Sequence, residues 1–379
     1  MTDRRFDGVP MEEQVPNAVL AIFGTAALLS FSALFYLFQK HIDARPLLRY
    51  QPRKCVPWGV GIAVLAISMP LANVFVFLAA QSEPGAQDAA NTEETADAEA
   101  NGGVGDDAAD DEPNMDEQVA NSWGTFVFML AFVFGVGMMI VALYQADVSD
   151  FGLPSSWSQA WQDIGIGILA TLAALLPVYV VQLVLITALD EKTKHPLVEQ
   201  LEANPSSAML TVGIAMAVIA APLFEEFTFR CLLQGWLEKV EDTVVGYHAT
   251  SRNSDEIASN GEEQNGEAQH DEHVQYEHVN AHQYVPKVLA VDTPPTTNHS
   301  PPPHGLIPAL PHGWTPILIS GTVFGLAHLG HGVAPISLIL FGIVLAYLYQ
   351  RTHRLLPSIT AHMVFNGYSM LLLWLQLNR

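Results

Sequence analysis

The chain is predicted to be an all-α polytopic membrane protein, a helix bundle of about eight spans carrying two disordered acidic insertions. Three observations predict it. Half of the 379 residues are hydrophobic and only 15% are charged, with a mean hydropathy of +0.24. The apolar residues arrive in runs of about 20, the length that crosses the hydrocarbon core of a bilayer. The charge, in contrast, is concentrated in two places. The net value is −23, from 39 acids and 16 Lys+Arg. Residues 81–118 hold 13 of the acids and no basic residue, and residues 241–313 hold 11 acids beside Arg252 and Lys287. The remainder is close to neutral. Positive hydropathy excludes an ordinary acidic soluble protein, and the sign of the charge excludes nucleic-acid binding.

The candidate spans lie near 17–38, 56–80, 123–144, 164–189, 208–227, 314–330, 333–350 and 356–377. The first is expected to stay in the protein: its apolar stretch, Ala18 to Phe38, exceeds the h-region of a cleavable signal peptide, and no small-residue cleavage site follows. Pro70, Pro177 and Pro222 fall inside spans, which membrane helices tolerate when neighbours satisfy the freed backbone groups. Gly321 and Gly325 form a GxxxG pair that permits close helix packing. Lys40, Arg45, Arg49, Arg53 and Lys54 follow the first span and should face the cytoplasm. Alternation from there puts both termini on the non-cytoplasmic side of a multi-pass protein, in the inner or plasma membrane if the source is bacterial.

The chain divides accordingly into a two-span region (1–80), an acidic loop (81–118), and a core (119–240 and 314–377) interrupted by the insertion 241–313. The acidic loop has no aromatic residue and too little apolar surface to offset the entropy of ordering. The insertion adds eight of the fourteen histidines and the run Pro301-Pro302-Pro303; with no recurring ligand spacing it reads as a polar linker rather than a metal site. Cys55 and Cys231 are far apart and read as two unpaired thiols.

Ionisable residues inside spans are expensive and commonly functional. Here they form three clusters. The first is Glu225-Glu226 with Arg230. Glu226 and Arg230 are i and i+4, so they share a helix face and can pair. Glu225 points about 100° away and is left free as a general base; the alternative is a pair of acids anchoring a helix end. The second is Phe324 and His328, with His331 one turn on as a weaker substitute. The third is His362 and Asn366, again i and i+4 on one face, suited to an oxyanion or to interhelical hydrogen bonding. Together they supply carboxylate, imidazole and amide groups able to activate water, with or without a metal.

The order EExxxR, FxxxH, HxxxN over about residues 150–377 resembles the CPBP intramembrane proteases, which include the type II CAAX prenyl endopeptidases and bacteriocin-processing proteins. The resemblance implies a hydrolase, often called a metalloprotease. Glu225 would be its catalytic glutamate, His328 the histidine that holds the attacking water, and His362 and Asn366 the pair that polarises the scissile carbonyl. Glu226 and Arg230 would be a supporting ion pair. Glu225, His328 and His362 are also acceptable ligands for a divalent metal such as zinc, so the cofactor stays open. The implied partners are the lipid bilayer and a membrane protein or lipidated peptide substrate. Competing signatures fail: there is no HExxH and no GxSxG, and the GxGD string at Gly103–Asp106 falls in the acidic loop. A proton-coupled transporter and a non-catalytic scaffold or immunity protein are the competing readings; no internal repeat supports the transporter.

Overall fold

The computed structural model describes residues 11–51, 55–82, 115–189, 206–247 and 304–377. Most of both acid-rich stretches, including the GxGD string, lies outside them. The described residues are helical, with no strand among them. Eight long helical elements follow one another: α1 (Met11–Ile42), α2 (Val60–Ser82), α3 (Met115–Tyr144), α4 (Trp157–Leu189), α5 (Ser207–Val245), α6 (Trp314–Leu326), α7 (Ala334–Thr352) and α8 (Leu355–Leu377). They stand where the apolar runs predict helices. Five of them, α1, α3, α4, α5 and α7, are long and apolar enough to cross a membrane, which makes the chain an integral membrane protein.

Among the described residues, length and composition thus support five of the eight expected spans. The predicted span 314–330 ends early: α6 has 13 residues and measures about 20 Å, short of the roughly 30 Å hydrocarbon core. Beyond Leu326 the chain turns through Gly330 (φ 100°) and Gly332 (φ 55°), conformations that glycine adopts without a Cβ clash. His328 thus sits in a turn, not in the middle of a span. The predicted span 208–227 is, conversely, only the first half of α5. That helix runs on to Val245 and is wound more widely, as π-helix, at Met216–Ala220 and Glu226–Gln234.

Packing follows the small residues. α6 and α7 form the closest pair, and a β-carbon on Gly342 would lie 2.7 Å from the carbonyl oxygen of Gly321. The GxxxG pair thus seats one backbone on the other. α4 lies against α8 in the same way: a β-carbon on Gly167 would lie 2.6 Å from Pro357 O, and Thr171 Oγ1 donates to Ala361 O at 2.8 Å. Phe324, Phe341 and Phe365 are buried between α6, α7 and α8, with Phe341 and Phe365 stacked at 4.2 Å.

Two polar clamps hold the helix ends. Arg354, in the turn between α7 and α8, grips Asp163 of α4 bidentately, at 2.8 Å (Nε–Oδ2) and 2.6 Å (Nη2–Oδ1). Of the 241–313 stretch, residues 241–247 and 304–313 are described, and they are tied together. The buried Glu241 carboxylate accepts from Leu306 N at 2.9 Å and Gly313 N at 2.7 Å, and His312 meets Asp242 at 2.7 Å. The returning chain is thereby pinned to α5 just before α6 begins.

Gly342→Val is expected to destabilise the bundle by about 1–3 kcal/mol through overpacking. Gly137→Val, where an added β-carbon meets nothing within 4 Å, should leave the melting temperature of the detergent-solubilised protein within about 2 °C of wild type.

Candidate active site

The site is organised by α5. Pro222 lacks an N–H, and it follows the π turn Met216–Ala220, in which the Ala221 N–H reaches back five residues to Met216 O. The next donor in that register would be residue 222, to Ala217 O, and a proline cannot supply it. The orphaned Ala217 carbonyl instead accepts from Asn366 Nδ2 of α8 at 2.8 Å. Because a carbonyl only accepts, this contact fixes which way the Asn366 amide faces. It also leaves the second N–H of that amide available.

Glu225 closes the short α-helical piece Ala221–Glu225, and Glu226 opens the second π segment. The two carboxylates diverge as their spacing predicts. Glu226 is fully buried and pairs with Arg230, Oε2 to Nε at 3.2 Å. Its other oxygen meets His362 Nδ1 at 3.0 Å. Arg230 in turn donates to Ser320 Oγ of α6 at 2.9 Å and lies 4.9 Å from the centroid of the Phe324 ring. One buried chain thus runs Ser320, Arg230, Glu226, His362 and joins α6, α5 and α8.

Glu225 turns instead into a cavity of about 300 Å³ that Glu225, His328, His362 and Asn366 line together. All four sequence-predicted residues for the chemistry meet there, and Glu226 and Arg230 stand behind them. His331 is not part of that wall, although its ring lies 5.7 Å from that of His328.

Proton placement follows from the partners. His328 Nδ1 is 2.9 Å from Phe324 O, so it carries the hydrogen and leaves the neutral ring's Nε2 as an acceptor. His362 Nδ1 faces the Glu226 carboxylate, which makes its Nε2 an acceptor as well. Glu225 Oε2 lies 4.0 Å from His328 Nε2 and 3.9 Å from His362 Nε2, and it is buried without a hydrogen-bond partner. Three acceptors converge on a gap too wide for a direct hydrogen bond. A water fits it, donating to two of them.

A metal fits less well. Ligands of a tetrahedral zinc ion stand about 3.3 Å apart, given bonds of about 2.0–2.1 Å, and Glu225 Oε2 is farther than that from either imidazole Nε2. Among the described residues no group of three or more His, Cys, Asp or Glu is placed to hold an ion.

The motifs did not point to Tyr179, Gln182, Ser337 and Ser369, which also line the cavity. The signal for Gln182 was present: it is the one amide side chain in the apolar stretch 164–189. Cys55 is exposed and Cys231 buried, and neither is in a disulfide.

A family model described as Type II CAAX prenyl endopeptidase Rce1-like matches residues 304–368. This is the protease family that the order of the motifs resembles. The matched segment contains His328, His362 and Asn366, whereas Glu225, Glu226 and Arg230 precede it. No curated protein and no solved structure matches the chain.

Two stability experiments check this architecture without assuming any reaction. Arg230→Met should destabilise by about 3–5 kcal/mol, because it strands the buried Glu226 charge; adding Glu226→Gln should restore part of the melting temperature. In Pro222→Ala the new N–H competes for Ala217 O. Asn366→Ala should then cost about 1 kcal/mol less in the Pro222→Ala background than in wild type. Equal costs in the two backgrounds would refute the orphan-carbonyl account.

Proposed function

We propose that the chain is an intramembrane endopeptidase of the CAAX-protease type, hydrolysing a peptide bond of a membrane-associated, lipidated protein or peptide by a glutamate-activated water. One observation carries the reading: a buried, unpartnered Glu225 oxygen faces two imidazole Nε2 atoms across a gap of water size, in a cavity that also holds Asn366.

In this mechanism His328 Nε2 accepts one hydrogen of the water and orients it. Glu225 removes the other, and the hydroxide oxygen bonds to the carbonyl carbon of the substrate. The carbonyl electron pair moves onto oxygen, where the second N–H of Asn366 stabilises it. His362 flanks the same gap, its Nε2 facing Glu225 at 3.9 Å. Glu226 and Arg230 hold that ring in place. Collapse of the tetrahedral species breaks the C–N bond, and Glu225 returns its proton to the departing nitrogen, releasing an amine and a new carboxylic acid, which then ionises to solvent. Placing base, water and oxyanion donor in one desolvated cavity is what makes the sequence of steps efficient.

The test uses full-length protein reconstituted in liposomes and an internally quenched, S-farnesylated peptide ending in a CAAX sequence. Glu225→Gln should lower kcat/KM at least about 100-fold, the scale of general acid–base catalysis, with the melting temperature retained. A zinc chelator should leave the rate unchanged, in keeping with the donor spacing. Equal rates for wild type and Glu225→Gln would refute the reading in favour of a scaffold or carrier.

A further inference from the structure

Beyond the four motif residues, the cavity wall carries four polar side chains: Tyr179, Gln182, Ser337 and Ser369. Ser369 donates to Phe365 O at 3.1 Å, so the 2.7 Å contact has the Tyr179 hydroxyl donating to Ser369 Oγ, and both hydrogens are used. Ser337 Oγ bonds to Ala334 O at 2.9 Å and contacts Gln182 Oε1. Gln182 is different. Its amide offers two N–H donors and a carbonyl, and Ser337 is its one partner among the described residues. If Ser337 donates to the amide oxygen, both N–H groups remain. If the amide is turned over and donates to Ser337, one remains. Either orientation presents at least one unpaired donor at the level of an apolar span, where an unpaired polar group is costly.

The placement is as telling as the missing partner. Val178 and Tyr179, one turn earlier on α4, line the same cavity, so Gln182 shares their face. Tyr179 and Gln182 also border a second, apolar groove of about 350 Å³ between α1 and α4, lined by Phe23, Leu183 and Ile186 among others. They therefore form the wall between the catalytic cavity and that groove. A cavity of about 300 Å³ is roughly 8 Å across and takes two or three residues of extended chain, at about 3.3–3.6 Å each. Every residue of such a peptide brings a carbonyl that has lost its water. The surrounding helices spend their backbone donors internally, so side chains must replace the lost hydrogen bonds. Asn366 has one N–H left, and Gln182 has the next.

We propose, on the endopeptidase reading, that Gln182 is a substrate-positioning residue. Its amide N–H donates to a peptide carbonyl within two residues of the scissile bond, and Ser337 holds the amide in place. Such a contact recognises extended backbone rather than a particular side chain. It is made equally before and during the reaction, so its loss raises KM and leaves kcat nearly unchanged.

The experiment compares wild type with Gln182→Met, which keeps the length of the side chain and removes its donors. Both are reconstituted at full length and assayed with the farnesylated peptide. KM should rise about tenfold at near-constant kcat. A thioamide, whose sulfur is a poor acceptor, is then placed at each carbonyl flanking the scissile bond. One position should impair wild type and leave Gln182→Met unaffected. Unchanged KM overturns the proposal, and so does a lowered melting temperature with identical thioamide effects in both proteins. Binding of a fluorescent version of the peptide to Glu225→Gln and to Glu225→Gln/Gln182→Met, read by anisotropy, separates the two readings. If wild type cleaves nothing and the double variant binds about tenfold more weakly, the endopeptidase reading fails and the positioning role stands. Equal binding, or no saturable binding to either, overturns the positioning role whatever the cleavage result.

Discussion

A guanidinium buried in a helix bundle must be neutralised where it lies, and Arg230 sets that requirement here. It is fully buried, and water cannot compensate it. Its charge is met by Glu226 at 3.2 Å and its Nη1 donates to Ser320 at 2.9 Å, with the face of Phe324 above it. Glu226 then has one oxygen left, and His362 takes it at 3.0 Å. Three helices are thereby fixed relative to one another by groups none of which can be left unpaired at low cost. The ring that faces Glu225 has its orientation and proton placement decided by a residue outside the cavity.

The winding of α5 supplies the second constraint. A uniform α-helix would satisfy its own carbonyls. The π turn ahead of Pro222 leaves Ala217 O without a donor, and Asn366 fills that place. The residue proposed to stabilise the oxyanion is thus held by a defect in the neighbouring helix, and its second N–H is aimed by the first. Wide turns of this kind recur at functional sites, and here the physical use is specific. The cavity gains a donor whose direction is set by backbone, not by a flexible side-chain contact.

The polar clamps away from the cavity have a different task. The Asp163–Arg354 pair joins the start of α4 to the turn between α7 and α8. Glu241 captures two backbone N–H groups of the chain that returns from the acid-rich insertion. That anchoring lets α6 begin in register with α5 although some seventy residues separate Glu241 from Gly313 (72 positions). Loop closure grows only slowly in cost with loop length, so a few charge-assisted bonds at the base of the insertion suffice to close it.

Much of this was legible in the amino-acid order. The apolar runs placed the helices, and the i, i+4 spacing separated Glu226, paired with Arg230, from Glu225. The motif order put Glu225, His328, His362 and Asn366 in one reading, and they do share one cavity. These features depend on residues near in sequence or on composition, which helical periodicity exposes directly. Other features depend on groups far apart in the chain. The alliance of Glu226 with His362, of Arg230 with Ser320, of Asp163 with Arg354 and of Asn366 with Ala217 each spans 90 or more positions, and no local pattern announces them. The shortness of α6 and the π turns of α5 belong with these, because they are settled by close backbone contact and by which neighbour takes a freed carbonyl. Gln182 shows the boundary between the two. Its lone amide in an apolar stretch was visible from the start, but the side of α4 it occupies, and the cavity it reaches, were decided only when the other helices packed around it.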